Sequence, residues 1–90
     1  MKIDQRYKVR SIAGENILLL PGAKGGDMSK VMAFNPTAKF LWDHFVSLDF
    51  EVRDVKEYLL EQYEVEEVVA ERDAEQWVAT LRENRLFVEE

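Results

Sequence analysis

The residues of this 90-residue chain that could do chemistry are few, and each stands without the partners its chemistry needs. His44 is the sole histidine, so no second imidazole can join it on a metal, and on a helix its neighbour Asp43 points about 100° away. It reads as a solvent-facing or core-edge side chain. Gly25 and Gly26 suggest a phosphate cradle, but neither a Gly-Lys-Ser/Thr ending nor an immediate helix follows them, which favours a plain connection. Glu64, Glu66, Glu67, Glu71 and Glu75 scatter around a helix and read as a solvated face rather than an acid/base or metal site. No serine pairs with a histidine and an acid at a readable spacing, and no nucleophile elbow occurs. The chain has no cysteine, hence neither a disulfide framework nor a thiolate metal site. These residues predict no catalysis, no metal and no cofactor.

Two side chains stand apart. Asp73 falls between Val69 and Trp77 on helical spacing, within an apolar stripe where an unpaired carboxylate is costly to bury. Either the stripe is only partly covered there, or Arg72 or Arg53 satisfies the acid, or the face borders a groove in which Asp73 accepts hydrogen bonds from a partner. Phe40 lies opposite Leu41 and Phe45 on its helix; packing beneath the N-terminal hairpin is favoured over exposure on a contact surface.

The elements that must position these residues are readable from pattern. Tyr7 to Ile12 alternates as a strand, Ala13 to Glu15 supply a turn, and Asn16 to Leu20 form a second strand, apolar enough to be covered on both faces. These two predict a hairpin. Pro21 to Lys30 holds three glycines and a proline and reads as a long connection. A third strand over 30–34 then hands over to a helix at Asn35, a preferred N-cap, and Pro36, which suits the first helical position. Ala38, Leu41, Trp42, Phe45 and Leu48 define the buried side of this first helix over 36–48. A second helix over 52–63 presents Val52, Val55, Leu59 and Tyr63. A third, over 66–84, carries Val68, Val69, Trp77, Val78 and Leu81, with Ala70 and Ala74 as small contact positions and Asn84 as a C-terminal cap. Leu86 to Val88 form a last extended segment able to pair or pack against the sheet. The expected fold is α+β: a three-stranded antiparallel sheet followed by a three-helix bundle in a single domain.

Composition limits the function classes. A domain this small buries roughly 60 to 65% of its unfolded surface, enough to fold alone. The net charge of −6 is uneven: residues 1–48 carry seven Lys and Arg against four Asp and Glu, whereas residues 49–90 carry five against fourteen. Phosphate neutralisation drives non-specific nucleic-acid affinity, so a helical half at −9 argues against DNA or RNA. The N-terminus lacks a signal-like apolar core and the longest apolar run, Ile17 to Leu20, is far too short for a membrane span, so a cytoplasmic protein is expected.

In order, YKVRSIAGENILLLP, the glycine-containing connection, VMAFNPTAKFLWDHF, EVRDVKEYLLEQYEV and VAERDAEQWVATLRENRLF resemble the family of pyrroloquinoline quinone biosynthesis protein D, PqqD, known as a RiPP recognition element. Pro36 stands where the family usually has Glu or Asp, and Asp49-Phe50 where a Gly is common. The resemblance implies a winged-helix-like domain without activity of its own. Such a domain captures the leader of a ribosomally made precursor peptide and presents it to a modifying enzyme, typically a radical S-adenosylmethionine protein. It implies that the leader adds as a strand along Lys30, Val31, Met32, Ala33 and Phe34, with Asp73, Gln76, Trp77 and Thr80 as the other wall. The partners expected are therefore a precursor peptide and an enzyme, with no nucleic acid and no membrane, and the chain acts as a monomer or weak homodimer. A winged-helix nucleic-acid regulator and a structural subunit that reads no peptide are the alternatives.

Overall fold

The computed structural model describes residues 1–19 and 31–88. A three-stranded antiparallel sheet, β1 (Val9–Ile12), β2 (Glu15–Leu19) and β3 (Val31–Phe34), is followed by helices α1 (Pro36–Phe45), α2 (Val52–Gln62) and α3 (Glu67–Glu83). The expected α+β order is present. Lys30, Leu20 and the predicted connection lie outside the described residues. The contacts group the chain into two compact units, Gln5–His44, and Met1–Asp4 with Phe45–Glu90.

In the first unit the hairpin is set by its turn. Ala13 and Gly14 both take positive φ, 53° and 83°, which makes a two-residue connection whose twist matches the strands it joins. Glu15 therefore belongs to β2, paired with Ile12, and not to the turn. Pairing runs outward from there only to Val9↔Leu18, so β1 is shorter than the alternation over Tyr7–Ile12 predicts. Leu18 and Ile17 point to opposite faces and are both buried, as the apolar run of β2 requires. Strand order is β1-β2-β3, which among the described residues leaves β3 at an edge.

Asn35 alone separates β3 from α1. Its side-chain Oδ1 accepts the Ala38 N–H at 2.7 Å and its carbonyl accepts the Lys39 N–H at 3.0 Å, the N-cap expected from the Asn-Pro pair. Leu41 and Trp42 are buried on the apolar side of α1, and the Trp42 ring meets Phe34 edge-on at 5.5 Å. The helix ends at Phe45 rather than Leu48. Val46 and Ser47 are weak helix formers, and the Leu48 N–H closes a tight turn on the Phe45 carbonyl, which leaves Leu48 42% exposed instead of in the apolar stripe.

In the second unit α2 opens with the Asp54 carboxylate accepting the Glu51 N–H at 2.8 Å and buries Val55 and Leu59. It ends one residue before Tyr63, whose extended backbone (φ −134°) stops the helix and leaves the ring 38% exposed. α3 buries Ala70, Ala74, Trp77, Val78 and Leu81, but Val68 is 67% exposed, so the stripe begins at Val69–Ala70 and not at Val68. The α3 C-terminus is a Schellman closure. Leu86 N–H bonds the Leu81 carbonyl and Arg85 N–H that of Arg82, both at 3.0 Å, with Asn84 as the cap and Arg85 in the left-handed region at φ 56°. The terminal segment does not join the sheet: Phe87 pairs with Ile3, and Val88 N–H bonds the Lys2 carbonyl at 2.8 Å. Ile3, Leu81 and Leu86 are thereby fully enclosed.

Candidate functional site

The exposed edge of β3 follows from the hairpin turn. A two-residue turn is flanked by a pair that exchanges both hydrogen bonds, so Ile12 and Glu15 bond each other, as do Arg10 and Ile17. Each strand residue aims its N–H and C=O to one side and its neighbours aim theirs to the other. Asn16 and Leu18 therefore bond toward β3, meeting Phe34 and Met32. It follows that Val31 and Ala33 turn both backbone groups away from β2. Among the described residues β3 pairs with β2 alone, so these groups form an open ladder at the sheet edge.

The side chains of β3 divide accordingly. Phe34 is 6% exposed and packed on Trp42, Met32 is half-buried, and Ala33 is exposed. A small exposed residue at the open register position leaves room for a neighbouring strand. Lys30 lies outside the described residues.

On α3, Asp73, Gln76, Trp77 and Thr80 fall within an arc of about 100°. Asp73 is half exposed and 3.6 Å from the Arg72 guanidinium, so the desolvation problem posed by its place in the stripe does not arise. Gln76 is exposed, and its carbonyl accepts the Thr80 hydroxyl at 2.9 Å. That bond holds Thr80 against its own helix. Trp77 is core: only 8% exposed, it stands in an aromatic cluster 6.2 Å from Phe45 and 6.1 Å from Phe50. Its indole Nε1 is buried with no hydrogen-bond partner. A ligand on this flank of α3 meets Asp73, Gln76 and Thr80 first and Trp77 only at its edge.

The opposite flank of α3 holds an open groove of about 350 Å³, lined by Val52, Glu75, Val78, Ala79, Arg82 and Glu83. None of the residues expected to bind peptide lines it. Sequence reasoning missed it because Val52 and Ala79 come from separate periodic patterns whose juxtaposition depends on how α2 and α3 pack. Phe40 is 38% exposed, so the hairpin does not fully cover it. His44 is exposed at the end of α1, and no group of His, Cys, Asp or Glu able to hold a metal occurs among the described residues. No helix there is long and apolar enough to cross a membrane.

Two solved structures are similar over nearly their whole length. One, "TbiB1 in Complex with the TbiA(beta) Leader Peptide", has a TM-score of 0.70 at 18% identity and covers 100% of this chain and 98% of its own; at that identity the likeness concerns the fold. The other, "Lasso peptide synthetase B1 complexed with the leader peptide", has a TM-score of 0.69 at 26% identity, with 98% of this chain and 96% of its own covered. No curated protein matches. The family model of coenzyme PQQ synthesis protein D (PqqD) matches residues 15–86, a span from β2 through the close of α3. The chain belongs to the PqqD family.

Proposed function

We propose that this protein is a non-catalytic adaptor that captures the leader of a ribosomally made precursor peptide by strand addition along β3 and presents it to a modifying enzyme. The observation that carries this reading is the open edge of β3, where Val31 and Ala33 turn their backbone groups outward. Membership of the PqqD family and likeness to a lasso peptide synthetase B1 solved with a leader peptide support it.

The energetics say what else is needed. Two residues offer two donors and two acceptors, and four such bonds at about 0.5 to 1.5 kcal/mol each give about 2 to 6 kcal/mol. Micromolar binding needs about 8 kcal/mol, plus the cost of ordering the peptide. Side chains must supply the remainder. On this reading Lys30, Val31, Met32, Ala33 and Phe34 contact the peptide from the strand, and Asp73, Gln76, Trp77 and Thr80 contact it from α3. Met32 is the strongest apolar contributor, since Phe34 and Trp77 have little surface left to offer.

The partner enzyme is of the radical S-adenosylmethionine class, and the adaptor works in the cytoplasm as a single domain, a monomer or weak homodimer. Titrating the protein with the precursor peptide encoded beside it, followed by amide chemical shifts, tests the role. Shifts along residues 31–34 and on the Asp73–Thr80 flank are expected; shifts confined to other surfaces, or none at millimolar peptide, contradict it.

A further inference from the structure

The end of the α2–α3 hairpin carries an apolar patch that no part of the peptide reading uses. Of the eight large hydrophobic residues exposed among the described residues, four fall within nine positions: Leu60 (37%), Tyr63 (38%), Val65 (40%) and Val68 (67%). The ion pair of Lys56 with Glu67, at 2.8 Å, ties α2 to the first turn of α3. Leu60 lies one turn beyond Lys56 and Val68 directly beside Glu67, so the four share one end of the hairpin. Isolated exposed hydrophobics are ordinary, whereas a group of them gathered at one tip marks a contact surface.

The surrounding charge selects the occupant. Residues 57–71 hold six glutamates, Glu57, Glu61, Glu64, Glu66, Glu67 and Glu71, and no Lys or Arg. A polyanion such as nucleic acid, or an anionic lipid surface, is repelled there. Two copies of this chain meeting tip to tip would set six glutamates against six, a like-charge contact that opposes an isologous dimer through this patch. We propose that this tip docks a basic, apolar-studded surface of the modifying enzyme, leaving the β3 edge for the peptide. The inference deepens the adaptor reading and rests on it for the identity of the partner. Apolar contact through Leu60, Val65 and Val68 supplies affinity, and the glutamate rim supplies steering and a steep dependence on salt.

The test uses the purified modifying enzyme encoded beside this chain, with enzyme affinity and leader-peptide affinity measured separately on each variant. Val65→Ser/Val68→Ser and Glu64→Lys/Glu66→Lys alter exposed positions, and circular dichroism checks that both variants fold. Enzyme affinity falling at least tenfold in both, with leader affinity within twofold of wild type, is the expected result. Unchanged enzyme affinity, absence of enzyme binding to the wild type, loss of leader binding, or a salt-sensitive self-association abolished by the variants would each overturn it. A wild-type protein that binds the enzyme through the tip but ignores the leader would instead sink the adaptor reading and leave the docking surface standing.

Discussion

Lys56 and Glu67, eleven residues apart, join α2 to the first turn of α3 through a 2.8 Å hydrogen-bonded ion pair. The Lys56 side chain is 19% exposed, its stem covered while its ammonium reaches a carboxylate that is 75% exposed. That hydrogen bond lowers the Glu67 pKa and raises that of Lys56. A lowered carboxyl stabilises the fold above its unfolded pKa of about 4.3 and loses that effect as pH falls through the folded value. A raised amine stabilises below about 10.4 and loses its effect as pH rises through the folded value. The melting-temperature difference between wild type and Glu67→Gln should therefore be flat from about pH 5 to 10 and shrink at about pH 3 and pH 11. A difference independent of pH would show that the pair does not act through its charges.

Among the described residues, two non-glycine residues take positive φ, Ala13 in the hairpin turn and Arg85 after α3. Asn tolerates the first position better than Ala, and Gly the second better than Arg. Ala13→Asn and Arg85→Gly should each raise stability, by up to about 1 kcal/mol in urea unfolding. Gly14→Ala should lower it by a similar amount: its φ of 83° disfavours any side chain even though nothing lies within 4 Å of the added carbon.

The Asn35 cap is local and separable from the sheet. Asn35→Ala removes the acceptor of the Ala38 N–H and should cost about 1 kcal/mol, whereas Asn35→Asp should cost little. Equal losses in the two variants would mean that the side-chain oxygen is not what matters.

Trp77 tests the core. Trp77→Ala should destabilise by about 3 to 5 kcal/mol because the aromatic cluster loses its contact with Phe45 and Phe50. Trp77→Phe should cost markedly less, since it also removes a buried N–H that lacks an acceptor, a penalty of about 1 to 3 kcal/mol. A Phe variant as unstable as the Ala variant would point to an unseen partner of the indole.

Much of this was legible in the residues. Asn35-Pro36 announced a helix start, since a cap and a fixed φ act within a few residues, and the apolar spacing of Leu41, Trp42, Val55, Leu59, Ala74 and Leu81 marked sides that are buried. Errors gathered at element ends. Leu48 and Tyr63 fit their periodicities, but a period says nothing about where a helix stops or how far its neighbour covers it, whereas Val68 lies about 180° around α3 from Trp77 and does not belong to the buried stripe. Ile3 and Phe50, both buried, belong to no repeating pattern and are enclosed by pairing between segments distant in sequence. At the site, the apolar run of β3 was visible, but which residues turn outward was not. That depends on register, which is counted from the Ala13-Gly14 turn.

The most direct measurement is leader-peptide affinity, by calorimetry, for wild type and Ala33→Pro. Proline at an edge position whose N–H faces away from β2 removes one outward donor and blocks the incoming strand while sparing the β2–β3 ladder. Ala33→Pro should keep the wild-type circular dichroism spectrum and lose at least about tenfold in affinity, one charge-neutral hydrogen bond together with the steric block. A folded Ala33→Pro protein that binds the leader as tightly as wild type would show that the β3 edge is not where the peptide is held.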